Sequence, residues 1–217
     1  MASVWILVSF AVAYVLGSVS FAVIVAKRHG VDILKAGSGS PGATNVKRVL
    51  GKGPGNLVFA LDFLKGFVAA HWPLFTHNIG LLPADAPVLW MGIAGLVGAV
   101  VGHSFSIFLK FHGGKGVAAS VGGLLAVMPL VTIGGLLVWL VVFQLTRYVS
   151  VASMAFGLSL MPLAALLHQP GELVGLSFAL AVFIIVRHRT NLQRLMAGTE
   201  NKFEKKKGTA ENPEQKQ

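Results

Sequence analysis

The chain has 217 residues, of which 54% are hydrophobic and 12% charged, with 18 Lys and Arg against 8 Asp and Glu and no cysteine. A soluble domain carries about 25% charged residues, so this composition, with a mean hydropathy of +0.73, excludes a soluble globular protein and predicts one all-α integral membrane bundle. The lack of cysteine excludes a disulfide framework, a thiolate metal site and a cysteine nucleophile.

Val4–Ala26 is the first apolar span. No positive side chain precedes it and Lys27-Arg28 follow, the reverse of a cleavable signal peptide. It is expected to be an uncleaved anchor with its N-terminus outside and Lys27 inside. His29–Gly53 then forms a cytoplasmic loop containing Ala36–Arg48, AGSGSPGATNVKR. That composition opposes a helix. Gly37, Gly39 and Gly42 permit backbone angles closed to other residues, and such a loop can turn several N–H groups toward one anion. Ser38, Thr44 and Asn45 add donors, and Arg48 adds a planar fork suited to phosphate. The competing reading is a flexible polar linker.

Pro54–Phe75 is the second span, and it contains Asp62 and Lys65 on one helical face. An ionisable pair at that depth faces the bundle interior or water, as a structural ion pair or as part of a site. After a short outer loop, Val88–Phe108 is the third span, with Gly92, Gly95, Gly98 and Gly102 spaced for close helix packing. His103 lies at its inner edge, where a structural hydrogen bond and a site role compete. His112–Gly116 (HGGKG) is a second glycine-rich loop, in which Gly113 and Gly114 let a substrate approach Lys115.

Val117–Leu145 is 29 residues of mostly apolar sequence. As one helix it would measure about 43 Å against a bilayer core of about 30 Å, and Met128-Pro129 breaks it. Val149–Leu167 and Leu173–Val186 follow, then the basic stretch from Arg187. With two short spans at 117–145 there are seven in all, and every Lys and Arg except Lys65 falls in an inner loop or tail. With one there are six, and the basic tail lands outside. The positive-inside rule favours seven, N-terminus out and C-terminus in. The net charge of +10 then belongs to the cytoplasmic face; a nucleic-acid surface is the alternative, but no nucleic-acid module accompanies it. Residues 1–204 form the single membrane domain, and 205–217 is a polar tail expected to be disordered.

This topology brings 36–48, 102–116 and 187–202 to one mouth of the bundle. Together they offer Ser38, Thr44, Asn45, Arg48, Lys115, His188 and Asn191, mostly donors and cations, which suits a substrate with phosphate-like anions. Carboxylates are too scarce for two-metal phosphoryl transfer, and no metal or cofactor is expected. His188 and Asn191 share a face if the last helix continues through them. There is no Gly-x-Ser-x-Gly elbow or convincing triad. No His is followed five positions later by Asp, so any acyl donor must arrive activated.

The stretches GSGSPGATNVKR (37–48), GHSFSIFLKFHGGKGVA (102–118) and RHRTNLQRLMAGTENK (187–202) resemble the bacterial membrane glycerol-3-phosphate acyltransferases that use acyl phosphate, the PlsY family. The resemblance covers nearly the whole chain. It implies seven transmembrane helices in the bacterial cytoplasmic (inner) membrane and a site facing the cytoplasm. The implied reaction moves a fatty acyl group from acyl phosphate to the 1-hydroxyl of sn-glycerol 3-phosphate, giving lysophosphatidic acid and inorganic phosphate, the first acylation of phospholipid synthesis. A separate enzyme supplies the acyl phosphate. Carried over by position, Ser38 and Arg48 bind glycerol phosphate, Lys115 neutralises a phosphate, and His188 and Asn191 orient the glycerol. Gly37, Gly39, Thr44, Asn45, Gly113 and Gly114 line or shape the site, with Asp62, Lys65, His103 and Glu200 as further candidates. Ser40, Ser106 and Ala119 depart from the family pattern, where Asn, Pro and a hydroxyl residue are frequent. The alternative is a transporter or flippase for an organic phosphate or anionic lipid, which would want mid-membrane charge between inverted repeats; only Asp62 and Lys65 offer the charge, and no repeat is visible.

Overall fold

A computed structural model describes residues 2–203, so the polar tail 205–217 lies outside the described residues. Every regular element among the described residues is helical: α1 (Ala2–Ser18), α2 (Phe21–Arg28), α3 (Ala43–Leu50), α4 (Lys52–Asn78), α5 (Val88–Ser104), a 3-10 turn (Ile107–Leu109), α6 (Val117–Val127), α7 (Pro129–Thr146), α8 (Val149–Leu166), α9 (Gly171–Arg187) and α10 (Arg189–Met196).

The first span is broken where the sequence predicts continuity. α1 stops at Ser18, and Ser20 caps α2 by accepting from the Val23 N–H at 3.4 Å. A helix end leaves orphan carbonyls, and at membrane depth they must find donors. Ser106 Oγ donates to the Ser18 carbonyl at 2.6 Å, and Lys65 Nζ donates to the Val19 carbonyl at 2.8 Å. Ser106 thus fills a donor role that a proline, expected there from the resemblance, could not fill.

The expected loop over 36–48 is corrected over its second half. Residues 43–48 belong to α3, because Ala43, Val46, Val49 and Leu50 form one apolar face packed on Ala22, Val25, Ile33 and Val58. Burial of that face outweighs a composition that disfavours helix. α3 ends at Gly51, whose φ of +93° suits glycine alone.

The Met128-Pro129 break falls where the sequence places it, with Pro129 at the start of α7. The two pieces are unequal, however. α6 has 11 residues and spans about 16 Å, half a bilayer core, whereas α7 has 18. Among the described residues, five helical segments are long and apolar enough to cross a membrane, the first being α1 and α2 together, and six when α9 and α10, bent by 55°, are taken as one. The molecule is a multi-pass helical membrane protein.

α5 forms the centre, against α1 on one side and α4 on the other. A Cβ at Gly95 would run into the Ala69 carbonyl of α4, and one at Gly102 into the Tyr14 carbonyl of α1. The larger core gathers Leu96, Leu124, Phe156, Leu160 and Ile184 from α5, α6, α8 and α9. This packing fixes the ends of α5, α6 and α9, which carry the polar loops.

Candidate active site

Three segments converge on a cavity of about 440 Å³: the chain entering and forming α3, the start of α6 with the loop before it, and the α9–α10 bend with the residues that follow α10.

The first wall is organised by Asn45, which is only 2% exposed. Its Oδ1 accepts from the Ser38 N–H at 2.9 Å, and its Nδ2 donates to the carbonyls of Ala36 at 2.9 Å and Ile33 at 3.4 Å. The amide is therefore spent on shaping the turn. Gly37 has φ +59°, and a Cβ there would collide with the Asn45 amide oxygen; Gly39 has φ +70°. Both shape the turn behind the wall, while Ser38, Ser40, Thr44 and Arg48 line the cavity.

The second wall is Lys115, whose Nζ donates to Asn191 Oδ1 at 2.7 Å. Gly113 and Gly114 do not line the cavity. Their N–H groups donate to the Ser104 and His103 carbonyls at 3.1 and 3.0 Å, so those donors are spent on the end of α5. A Cβ at Gly114 would strike the His103 ring, which is the close approach that this glycine serves.

The third wall is His188 and Asn191. The helix does not run straight through them: it bends by 55° between Arg187 and Arg189, and both side chains still reach the cavity. His188 is 2% exposed, with Nδ1 2.8 Å from the Ile184 carbonyl. A carbonyl only accepts, so Nδ1 carries the hydrogen and Nε2 presents a lone pair. Burial, aided by the neighbouring Lys115 cation, holds His188 down to about 4, so the ring is neutral near pH 7. Burial likewise pushes Lys115 down to about 8, with Glu200 opposing and Arg194, Arg48 and Arg187 assisting.

Glu200 ties this wall together. Its Oε1 accepts from Asn191 Nδ2 at 2.6 Å and from Ser150 Oγ at 2.8 Å, and its Oε2 accepts from Arg194 Nε at 2.8 Å. Burial would raise its pKa, but these donors outweigh burial and hold the carboxyl below its ordinary value. Arg194 and Ser150 were not among the sequence candidates. The only signal for Arg194 is its position three residues after Asn191, on the same helical face.

Asp62 and His103 border the cavity from below. Asp62 Oδ1 lies 2.8 Å from Lys65 Nζ and 3.4 Å from His103 Nδ1. Lys65 itself turns away, to the Val19 carbonyl and the Phe21 ring, 5.5 Å from its centroid. Val121, Leu136, Trp139, Phe143 and Val149 add apolar lining; Trp139 Nε1 donates to Ser153 Oγ at 3.3 Å. Phe203 packs edge-on against Phe143 and under Arg48, 6.0 Å from its ring centroid. The lining thus combines cationic and apolar side chains, and Phe203 touches both kinds. Among the described residues no group of three or more His, Asp or Glu side chains converges as a metal site would require.

Residues 7–198 match the family model described as glycerol-3-phosphate acyltransferase. The chain is 42% identical over 192 residues to a glycerol-3-phosphate acyltransferase of Aquifex aeolicus, covering 88% of this chain and 95% of that one. It is 43% identical over 204 residues to one of Thermus thermophilus, covering 93% and 96%. Its fold is similar to a crystal structure of PlsY (YgiH), an integral membrane glycerol 3-phosphate acyltransferase, in its glycerol 3-phosphate form, with a TM-score of 0.82 and 40% identity over 92% of this chain and 96% of that one. The lysophosphatidic acid form of that protein gives a TM-score of 0.79 at the same identity. A membrane bundle with a cavity lined by both cationic and apolar side chains, and this degree of likeness along nearly its full length, place the chain in the PlsY family of glycerol-3-phosphate acyltransferases.

Proposed function

We propose that this protein transfers a fatty acyl group from acyl phosphate to the 1-hydroxyl of sn-glycerol 3-phosphate, releasing lysophosphatidic acid and inorganic phosphate. The observation that carries the reading is one cavity lined both by Ser38, Arg48, Lys115, His188 and Asn191 and by the apolar side chains of Leu136, Trp139 and Phe143. Such a cavity suits one small phosphorylated acceptor and one phosphorylated lipid.

In this reading Ser38 and Arg48 hold the glycerol phosphate, and Lys115 offsets charge on the donor phosphate. The neutral His188 accepts a hydrogen bond from the attacking hydroxyl at Nε2, which points it at the acyl carbon. The hydroxyl oxygen forms the new ester bond, the bond from acyl carbon to phosphate oxygen breaks, and phosphate leaves with the electron pair. A histidine held near 4 is a poor base at neutral pH. As the new C–O bond forms, the hydroxyl proton leaves its hydrogen bond to Nε2 and passes to the departing phosphate, the stronger base. The donor is a mixed anhydride, so no covalent acyl-enzyme is needed. The transport reading is disfavoured by the Lys65–Asp62–Val19 arrangement, which ties the Lys65 ammonium to a carboxylate and a backbone carbonyl.

The test is phosphate release from purified protein given palmitoyl phosphate, with and without glycerol 3-phosphate, beside Lys115→Ala. Release that needs glycerol 3-phosphate, yields lysophosphatidate and fails in the folded variant supports the reading. Absence of turnover by well-folded wild type sinks it. We also propose seven crossings, with α6 as a short one, the N-terminus outside and the site on the cytoplasmic side of the bacterial inner membrane, where a separate enzyme delivers acyl phosphate. The chain has no cysteine, so single cysteines placed at Lys110 and Gln169 can be probed with an impermeant maleimide. Labelling of Lys110→Cys from outside intact cells would overturn the orientation.

A further inference from the structure

Lys115 is carried by a loop, residues 110–116, that lies between the 3-10 turn and α6 and has no regular structure of its own. On its N–H side the loop is bonded to the last carbonyls of α5 through Gly113 and Gly114. Its carbonyl side meets Arg187. Arg187 Nη2 donates to the Gly114 carbonyl at 2.7 Å and reaches the carbonyls of Gly113 at 3.2 Å and Ser104 at 3.4 Å. The guanidinium lies over the Phe105 ring, 5.0 Å from its centroid. Arg187 itself does not line the cavity, so its charge is not offered to a ligand there. It precedes His188 at the α9–α10 bend, and it joins the third wall of the site to the second.

We infer that Arg187 is a positioning residue for Lys115: it clamps the glycine carbonyls of the Lys115 loop to the end of α5, seated on Phe105, and so sets where the ammonium stands relative to Asn191. The inference rests on the acyltransfer reading above, because that reading gives the ammonium its task. Two physical points single out arginine. A planar guanidinium can stack on an aromatic face while its N–H groups serve carbonyls in its own plane, and an ammonium does not reproduce that geometry. The Arg187 charge also helps to depress Lys115, so movement of the clamp registers on the lysine itself.

The test compares wild type with Arg187→Lys, Arg187→Gln and Phe105→Leu in micelles. Two readouts are taken: steady-state kinetics, and the pH midpoint for acetylation of Lys115 by N-hydroxysuccinimidyl acetate, read by peptide mass spectrometry. The wild-type midpoint is expected at about 8. Arg187→Lys keeps the charge and loses the stacked guanidinium plane that sets Nη2 against the carbonyls. With a released loop its Lys115 becomes better hydrated, the midpoint rises by about one unit, and kcat/KM falls by about tenfold or more. Arg187→Gln moves the midpoint further, since the repelling charge goes too. Phe105→Leu shifts it in the same direction by less, and carries the test if the arginine variants unfold. Midpoints unchanged from wild type in Arg187→Lys and Phe105→Leu overturn the role of Arg187, whatever the turnover. Wild type that labels as expected and does not turn over sinks the acyltransfer reading separately.

Discussion

Lys65 Nζ donates to the carbonyl of Val19 at 2.8 Å, across 46 residues of sequence, at the point where the first span breaks. The same nitrogen lies 2.8 Å from Asp62 Oδ1, and both side chains are 2% exposed. The pair and the break explain each other: a carbonyl freed by a helix end needs a donor, and a buried ammonium needs more than one acceptor. Lys65→Met leaves the Asp62 carboxylate without its cation and the Val19 carbonyl without its donor. It should cost about 3–5 kcal/mol, read as a fall in thermal unfolding temperature in micelles. The double variant Asp62→Asn, Lys65→Met should recover part of that loss. If the single variant unfolds at the wild-type temperature, the pair does not hold the break.

Glu200 accepts from three side chains on two helices, Ser150 of α8 and Asn191 and Arg194 of α10, and its side chain is 6% exposed. Glu200→Gln keeps the shape but offers an N–H₂ where only acceptors fit. One donor among the three then loses its partner, and Asn191, which holds Lys115, loses its orientation. The expected result is a 10- to 100-fold fall in kcat/KM, the rate equivalent of about 1.5–3 kcal/mol. Ser150→Ala should cost less, since the other two donors remain. Equal effects in the two variants would remove Glu200 from the centre of the network.

Much of the cavity was legible from sequence. Lys115, Ser38 and Arg48 lie in or beside glycine-rich edges of apolar spans, and His188 and Asn191 at the basic end of one; in a chain with 12% charged residues such positions stand out. What was not legible depends on tertiary contact. The Ser150–Glu200 bond joins residues 50 apart, and neither position carries a periodic signal. α3 hides in a composition that opposes helix, because its stability comes from packing on Val25 and Ile33. The roles of Gly113 and Gly114 differ from expectation for a similar reason. They are expected to open an approach to Lys115, yet their N–H groups bond to the Ser104 and His103 carbonyls. Composition reports that a backbone can turn tightly, and only packing decides which way its donors point.

Gly95 is where α5 approaches α4 most directly, its Cα facing the Ala69 carbonyl with no room for a Cβ. Without a hydrophobic driving force between helices in lipid, this close backbone packing is a main source of association. Gly95→Ala should cost about 1–3 kcal/mol, while Gly175→Ala, where a Cβ meets open space, should be neutral in the same melt. Equal melting of the two variants would show that α5 can shift without cost.

The pH dependence separates the roles of Lys115, His188 and the substrate. With Lys115 at about 8, kcat/KM, which reports the free enzyme, should fall as pH rises above about 8 and the cation is lost. Lys115→Arg should abolish that limb even if its turnover is low, because arginine stays charged. On the acid side His188 stays neutral down to about 4, so it cannot produce a limb nearer neutrality. A phosphate monoester titrates near about 6, and protonation of substrate phosphate should therefore set the acid limb and leave it in place in His188→Asn. An acid limb that vanishes in that variant would return the proton to His188. Stability moves differently. Between about 8 and 10.5 the unfolded chain binds the Lys115 proton and the folded chain does not, so the Lys115 contribution to stability rises with pH across that window. Between about 4 and 6.5 the same holds for His188, so stability falls as pH drops through that range. Activity and melting temperature should thus part company above pH 8, one decreasing while the Lys115 contribution to the other increases. A parallel decline of both, preserved in Lys115→Arg, would mean that unfolding and not deprotonation of Lys115 produces the alkaline limb.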